Sequence, residues 1–338
     1  MTIHAPMTTL DRVRLQRRAA PVLLAITLCA AALMNAAHAA HCPAESFLDF
    51  VKEFEDQAEV RQAYVHKPLT MQDVLVQGDQ AMVRSTKVAD PTDKLETVFA
   101  LQKNKGLKVD VERPDRVTMR DGNGEVLIIL IFEQKDCWKL TRIEDWSLGQ
   151  RLSTAKASDP AAVALKRGAI YSHLAGETPS DSLIALYASA LDSYLYGAHM
   201  GSAKAAYAAA GLSLSGQAPR LANERIQQLL ETAAKSEAEA GITLAYFYCD
   251  AGESGTNRPC ANPEKALQAL EDIARLDPNA ALMELGNAYA SGDVTTQDMS
   301  RALACYLEAQ AKGATDLDGV IADLKAKGAA AQESVHCF

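Results

Sequence analysis

The sequence predicts an α+β domain at residues 41–150, followed by an all-α solenoid of helical hairpins at residues 161–326. Three observations support this fold class. Residues 41–150 combine an amphipathic helix with several strand-like runs and a tight hairpin signal. Beyond residue 160 the chain becomes rich in Ala and loses its strand signal. Within that second part, similar short segments recur at offsets of 40 and 36 residues, which is typical of repeat proteins.

The first 39 residues have the pattern of a secretory signal peptide. Four Arg side chains precede an apolar run at residues 19–34, and the small-x-small sequence Ala37-His38-Ala39 follows it. We therefore expect cleavage after Ala39. The alternative is an uncleaved anchor helix, but the apolar run is shorter than the roughly twenty residues that a bilayer requires.

The composition is that of a globular protein with an acidic balance. The chain has 338 residues, of which 48% are hydrophobic and 23% are charged, so extensive disorder is excluded. Loss of the leader removes four Arg and one Asp from 34 basic and 43 acidic side chains and leaves a net charge of about −12. No basic patch of the kind that binds nucleic acid remains. We expect a protein or peptide partner, for which a basic surface would suit the acidic balance, no nucleic acid, and no membrane span after cleavage.

The cysteines support export. Six of the seven remain after cleavage, and an even number in an oxidising compartment predicts disulfide bonds. Several pairings are possible, and proximity in sequence favours Cys249–Cys260, Cys42–Cys137 and Cys305–Cys337. Each bond would stabilise the fold by ~2–4 kcal/mol. A metal site is disfavoured because no C-x-x-C pair exists. The leader and the cysteines together predict a periplasmic or secreted protein.

The first predicted element of residues 41–150 is an amphipathic helix at residues 44–58, whose apolar side chains share one face. The strand-like segments that follow lie at residues 73–76, 81–88, 107–111, 116–120, 126–132 and 138–143. The sequence Asp121-Gly122-Asn123-Gly124 supplies turn residues of a tight hairpin. Residues 126–132 are apolar throughout and predict a central strand that is covered on both faces.

The aromatic and apolar pattern of this part carries a resemblance to a known family. The matching residues are Phe47-x2-Phe50-x3-Phe54, Val60, Pro68-Leu69 and Trp138-x-Leu140-x2-Ile143. They resemble exported domains with a nuclear-transport-factor-2-like fold, although Lys67 stands where that family tends to place an aromatic residue. The resemblance implies a curved sheet wrapped by helices, with a cone that can hold a pocket.

Beyond a linker expected at residues 151–160, three units of a repeat can be aligned, and residues 327–338 are expected to form a tail. The second helix of each unit starts with a basic residue followed by an apolar one, at Arg225-Ile226, Lys265-Ala266 and Arg301-Ala302. The first helices end at Gly216, Gly252 and Gly292, where a left-handed residue is needed. Asn262 and Asp298 are predicted to cap the second helices.

The last unit carries the most specific pattern. Its motif residues are Leu285, Gly286, Tyr289, Gly292, Ala302, Tyr306 and Ala309. They resemble the Sel-one-like repeat, a relative of the tetratricopeptide repeat, although one extra residue separates Val294 from Asp298. We expect these seven residues to serve packing between helices. The resemblance implies hairpins that stack into a right-handed arc, whose concave surface binds proteins or peptides.

The sequence contains no recognisable active site. It lacks G-x-S-x-G, H-E-x-x-H, P-loop and G-x-G-x-x-G motifs, and its histidines are scattered. Asp192 is expected to pack between helices, with a position on the concave surface as the alternative. We therefore expect no catalytic, cofactor-binding or metal-binding residues and no enzyme activity.

Two functions of different classes follow from these expectations. The first is an exported protein-binding repeat protein that uses its concave helical surface; by resemblance, such a protein serves as an envelope adaptor, a regulator or an immunity protein that inhibits a toxin. The alternative is a small-molecule binder or enzyme that uses a pocket in the N-terminal α+β domain.

Overall fold

A computed structural model of the chain describes residues 42–78, 80–113, 115–152, 159–177, 182–252, 259–330 and 334–337. The predicted leader, its cleavage point and most of the predicted linker lie outside these residues. An α+β part and a series of helical repeats are both present, as the predicted fold class requires. None of the helices in the described ranges is long and apolar enough to cross a bilayer.

The α+β part contains one six-stranded sheet. Its strands are β1 (Val65–Gln77), β2 (Gln80–Val88), β3 (Lys108–Arg113), β4 (Arg116–Arg120), β5 (Leu127–Gln134) and β6 (Trp138–Asp145). They lie in the order β2-β1-β6-β5-β4-β3. Neighbouring strands are antiparallel except for β1 and β6, which run parallel. Strands β5 and β6 therefore lie in the interior of the sheet, and β2 and β3 form its edges.

Strand β5 is covered on both faces, and this confirms the prediction from its continuous apolar sequence. Leu127, Ile129 and Ile131 belong to a core shared with the later helices. Ile128 and Leu130 belong to a separate core on the opposite face. Because side chains alternate along a strand, one apolar run can fill both cores.

Three helices accompany the sheet, and the first brings aromatic rings onto its face. The rings of Phe47 and Phe54 contact the ring of Phe132, with centroids 5.5 and 5.2 Å apart. Ser46 caps the first helix by accepting a hydrogen bond of 3.1 Å from the backbone N–H of Asp49. The three helices are α1 (Phe47–Asp56), α2 (Ala58–Ala63) and α3 (Thr92–Lys105).

After the sheet, every secondary-structure element of the described ranges is a helix. Each helix packs mainly against the next one along the chain, which is the arrangement of a solenoid rather than of a globule. The helices are α4 (Gly149–Leu152), α5 (Pro160–Glu177), α6 (Leu183–His199), α7 (Ala203–Leu214), α8 (Asn223–Ala233), α9 (Ala238–Asp250), α10 (Pro263–Ile273), α11 (Pro278–Ser291), α12 (Met299–Ala311) and α13 (Asp318–Ala326).

One hydrophobic core continues from the sheet into these helices. Trp146 and Leu148, which follow β6, share it with Tyr171 and Leu174 of α5. Residues 44–338 accordingly form one compact unit. Helix α4 ends before, and α5 begins after, residues 153–158, which lie outside the described chain. A boundary between two domains at the predicted linker stays a prediction.

Two buried charged side chains connect the sheet part to the helices. Arg167 of α5 donates to the carbonyl oxygen of Asn123 in the β4–β5 turn at 2.7 Å and to Ser193 Oγ of α6 at 3.2 Å. Glu144 of β6 accepts a hydrogen bond of 2.5 Å from Ser182 Oγ, which immediately precedes α6. A buried charge is tolerated only with such partners, so these contacts fix the orientation of the turn and of α6.

Candidate functional site

The first helices of successive hairpins, α7, α9 and α11, are linked to one another by side chains. Tyr207 Oη of α7 lies 3.3 Å from Thr243 Oγ1 of α9. Tyr246 Oη of α9 donates to Glu284 Oε2 of α11 at 3.0 Å. These contacts make one continuous surface across three hairpins. We call it the first-helix face, formed by Tyr207, Thr243, Tyr246, Met283 and Glu284.

Two large side chains on the first-helix face are open to solvent. Tyr246 is 40% exposed and Met283 is 37% exposed. Partial burial, together with the carboxylate of Glu284, raises the pKa of Tyr246 to about 12, so its hydroxyl group stays protonated at neutral pH. Tyr side chains that offer a ring and a hydroxyl donor, and flexible Met side chains, are common anchors at protein-binding surfaces.

The first-helix face carries negative charge. Glu239 lies on the same side of α9 as Thr243 and Tyr246, because these positions are four and seven residues apart. Glu284 is half-buried on α11, and the exposed Asp293 follows that helix closely enough to raise the pKa of Tyr246. The three carboxylates would attract a positively charged partner.

A groove separates the second helices α8 and α10. Its volume is about 670 Å³, and α9 supplies its floor with Leu244 and Tyr248. The walls include Glu231 of α8 and Lys265 and Ala269 of α10. We call this feature the second-helix groove. The first helices thus touch through side chains, whereas these two second helices are separated by the groove.

Tyr248 is held at the floor of the second-helix groove from two sides. Its hydroxyl group donates to Glu231 Oε1 at 2.9 Å, and Lys265 Nζ lies 5.5 Å from the centre of its ring. Burial, with Glu231 as a further cause, raises the pKa of Tyr248 to about 12. The floor of the groove is therefore an aromatic ring in a fixed orientation, next to a cation.

Asp192 lies at the junction of the sheet and the helices. It forms an ion pair with Arg120 of β4. Burial raises the pKa of Asp192 to about 6, and the charge of Arg120 opposes this rise. The contact with β4 places Asp192 against the sheet rather than on the first-helix face.

The seven motif residues of the last repeat lie in α11 and α12, with Gly292 at the C-terminal end of α11. Gly292 ends α11 with a φ of 79°. A Cβ atom on Gly286 would lie 2.9 Å from the ring of Tyr306, so the two helices can approach this closely only with glycine there. The buried members of the set are Leu285, Gly286, Tyr289, Ala302, Tyr306 and Ala309.

Two of the predicted cysteine pairs are disulfide bonds in the structure. Cys249 is bonded to Cys260 across the loop between α9 and α10. Cys305 of α12 is bonded to Cys337 near the end of the described chain. The pairing of Cys42 with Cys137 stays a prediction. Across the described ranges, no cluster of three or more His, Cys, Asp or Glu side chains is arranged to hold a metal ion.

Both predicted caps occupy the N-cap positions of their helices, but only Asp298 makes the capping hydrogen bond. Asp298 Oδ1 accepts a hydrogen bond of 2.9 Å from the backbone N–H of Arg301, as an N-cap does. Asn262 makes no such bond at the start of α10. Its side-chain amide is instead directed to the carbonyl oxygen of Tyr248 in the preceding helix, at 3.4 Å.

No motif in the sequence identifies Tyr207, Tyr246 or Met283 as functional residues. Tyr246 lies between the repeat positions Leu244 and Tyr248. A large aromatic residue between two packing positions of a helix is the sequence signal that could have indicated a solvent-exposed anchor. Its contact with the next hairpin could not be read from the sequence, because it depends on how the hairpins stack.

Comparison with solved structures finds Sel1-type repeat proteins. The chain is similar to a Sel1 repeat protein from Oxalobacter formigenes, with 23% identity, coverage of 53% of this chain and 67% of that chain, and a TM-score of 0.40. It is also similar to a protective antigen of uropathogenic Escherichia coli strains that displays an SLR fold. That match has 21% identity, covers 49% of this chain and 33% of that chain, and has a TM-score of 0.38.

No protein-family model matches the chain, and no curated protein matches it. The described helices themselves carry the assignment of a helical-repeat architecture, because α7–α12 form consecutive hairpins.

Proposed function

We propose that this protein is an exported, non-enzymatic repeat protein that holds a protein partner on its first-helix face. The observation that carries the proposal is the continuity of this face across three hairpins, with Tyr246 of α9 and Met283 of α11 exposed on it. The inner side of a helical arc offers an extended surface, and a few large side chains supply most of the binding energy at such surfaces.

The partner is a basic protein or peptide. Lys or Arg side chains on it would pair with the carboxylates of Glu239 and Glu284, and the ring of Tyr246 offers a further contact for a cation. A role as envelope adaptor, regulator or toxin-inhibiting immunity protein is compatible with this chemistry.

Export is part of the proposal. It is supported by the leader pattern of the sequence and by the two disulfide bonds, which persist in oxidising compartments. For residues 41–150 we propose the nuclear-transport-factor-2-like fold, supported by a single sheet with α1–α3 beside it. The rings of Phe47, Phe54 and Phe132 fill the sheet face under α1, and this favours protein binding over a small-molecule pocket there.

Capture of a partner from an envelope fraction tests the proposal. The immobilised wild-type chain should recover one stoichiometric protein. The double variant Tyr246→Ala/Met283→Ala should recover at least about tenfold less of it, because truncation of anchor residues at an interface costs this much or more. Added salt should weaken the capture further, since charge pairs contribute.

The matched control is Ile184→Ala, which truncates a side chain of α6 that is 53% exposed and lies outside the first-helix face. It should recover as much partner as the wild-type chain. Equal recovery by the double variant, at unchanged circular dichroism, would exclude the first-helix face as the binding site.

A further inference from the structure

The second-helix groove has a counterpart in the next hairpin. In the aligned repeats, Tyr248 corresponds to Tyr289, Lys265 to Arg301, and Ala269 to Cys305. The contacts agree with this alignment, since Arg301 Cζ lies 4.7 Å from the ring centre of Tyr289, as Lys265 Nζ lies near Tyr248. The two hairpins therefore present a tyrosine ring and a basic side chain at equivalent places, with Lys265 in one and Arg301 in the other.

In the next hairpin, these positions hold the C-terminal segment of the chain itself. Arg301 Nε donates to the carbonyl oxygen of Cys337 at 3.0 Å. The side chain of Cys337 is buried and is bonded to Cys305. Val335 is half-buried and His336 is exposed, which is the alternation of an extended segment. A short extended segment is thus held by a cation at its backbone and by one buried side chain, which is also anchored covalently through the disulfide bond.

The residue at position 269 is the smallest at its place in the three hairpins, and its side chain, 8% exposed, lines the second-helix groove. In the first hairpin the corresponding residue is Leu229, whose larger side chain is buried. In the last hairpin it is Cys305, which is covered by the tail. Ala269 is the smallest of the three, and the groove of about 670 Å³ lies over it. This volume is within the range of ligand-binding sites in proteins.

The charges around the groove favour a bound segment that carries a carboxylate. The carboxylate of Glu231 accepts from Tyr248, and Asp272 accepts from Arg275 Nη2 at 2.5 Å. Lys235 and Lys265 add positive charge to the lining beyond these contacts. A carboxylate on the bound segment would be attracted to them.

We infer that the second-helix groove binds a short extended segment of a partner protein, in the manner in which the next hairpin holds the C-terminal segment. Lys265 donates to a backbone carbonyl oxygen of the segment. A small apolar side chain of the segment packs on Ala269, beside Tyr248. This site lies on the second helices, so it is distinct from the first-helix face of the proposed function.

A thiol placed on the groove wall tests the inference, with the chain's own tail as the probe. The probe is a synthetic peptide with the sequence of residues 332–338, activated at its Cys as a 2-thiopyridyl disulfide. In the Ala269→Cys variant, the new thiolate attacks the peptide sulfur, the protein–peptide disulfide forms, and 2-thiopyridone leaves. Its absorbance gives the rate, which should exceed that of a scrambled peptide at least about tenfold.

Glu264→Cys is the matched control, because it places a thiol at an exposed position at the start of the same helix. It should react with both peptides at the same rate. Adding Lys265→Ala to Ala269→Cys should remove most of the preference, since the charge-assisted hydrogen bond is lost. Equal rates of the two peptides with Ala269→Cys would overturn the inference.

A second measurement needs no new cysteine. A fluorescent peptide of residues 332–338 with Ser in place of its Cys should bind the wild-type chain in an anisotropy titration. Ala269→Leu, which copies Leu229 of the first hairpin, should weaken this binding at least about tenfold. Absence of binding at millimolar peptide, or binding that Ala269→Leu leaves unchanged, would also overturn the inference.

Two further outcomes are decisive. The Tyr246→Ala/Met283→Ala variant should bind the peptide as the wild-type chain does, so failure of the proposed function and failure of this inference can be told apart. A dimer in solution that Ala269→Leu dissociates would assign the groove to the tail of a second copy and would overturn the assignment to a partner protein.

Discussion

Gly124 determines how closely the β4–β5 turn approaches helix α6. Its φ is 70°, a backbone conformation that glycine adopts without strain. A Cβ atom at this position would lie 2.6 Å from the carbonyl oxygen of Ser189 and would overlap Ser193 Oγ. At Gly122 in the same turn, a Cβ atom would meet no other group within 4 Å.

Gly124→Ala should lower the free energy of unfolding by about 2–4 kcal/mol, because backbone strain adds to the overlap with buried groups. Gly122→Ala is the matched control and should change it by less than about 0.5 kcal/mol. Urea denaturation of both variants measures the difference. Equal stability of the two would mean that the turn can move away from α6 at no cost.

The sequence predicts the turn at these glycines, because Asp-Gly and Asn-Gly pairs have a local conformational preference. It does not distinguish Gly124 from Gly122. The difference between them arises from Ser189 and Ser193, which are more than sixty residues away in the chain, and no local pattern reports such a contact.

At the scale of helices, α10 and α12 start differently although their sequences align. The side chain of Asp298 caps α12 through the backbone N–H of Arg301, whereas the side chain of Asn262, at the N-cap position of α10, makes no such bond. Asp298→Ala should therefore lower the free energy of unfolding by about 1 kcal/mol, the usual cost of a lost N-cap. Asn262→Ala should cost clearly less, and thermal unfolding of both variants gives the comparison. A larger loss at Asn262 would contradict the assignment of caps.

The existence and type of the helices could be predicted, because apolar spacing and recurring segments are local properties of the sequence. The exact contacts at their ends could not. The side chain of Asn262 has a competing partner in the carbonyl oxygen of Tyr248, and this partner is brought near only when α9 and α10 pack together.

At the scale of the whole molecule, the core shared by the sheet and the helices should make them unfold together. Trp138 and Trp146 are the two tryptophans of the chain; Trp138 lies in β6 and Trp146 lies where the sheet packs on the helices, so fluorescence reports on the sheet and on that contact. Far-ultraviolet ellipticity reports mainly on the helices. We expect both signals to have the same midpoint in a urea titration, because one transition is typical of a shared core.

Ile129→Ala should shift both midpoints equally and should lower the free energy of unfolding by about 2–4 kcal/mol, since Ile129 is buried where the sheet meets the helices. Met82→Ala on the exposed edge strand β2 is the control and should leave both nearly unchanged. Two separate transitions would instead support the two independent domains that the sequence suggests.

The sequence could predict that β5 is covered on both faces, since its run of apolar residues has no polar side. It could not predict what covers each face. The sequence around Leu127 and Ile129 is the same whether they pack on a helix of their own domain or on α5 and α6. The roles of Arg167 and Glu144 become recognisable only when the sheet and the helices are both in place, because their partners lie across that contact.

The hydrophobic contact between the strands and α5 restricts the use of the helical repeats without the sheet. Ile170 and Tyr171 of α5 are buried in the core that Ile129 and Trp146 complete. If the strands were removed, these side chains would form an exposed hydrophobic patch at the N-terminal end of the helical repeats. The helical part is therefore not an independent folding unit. A fusion that moves it into another protein would have to include the strands, which cover its apolar end.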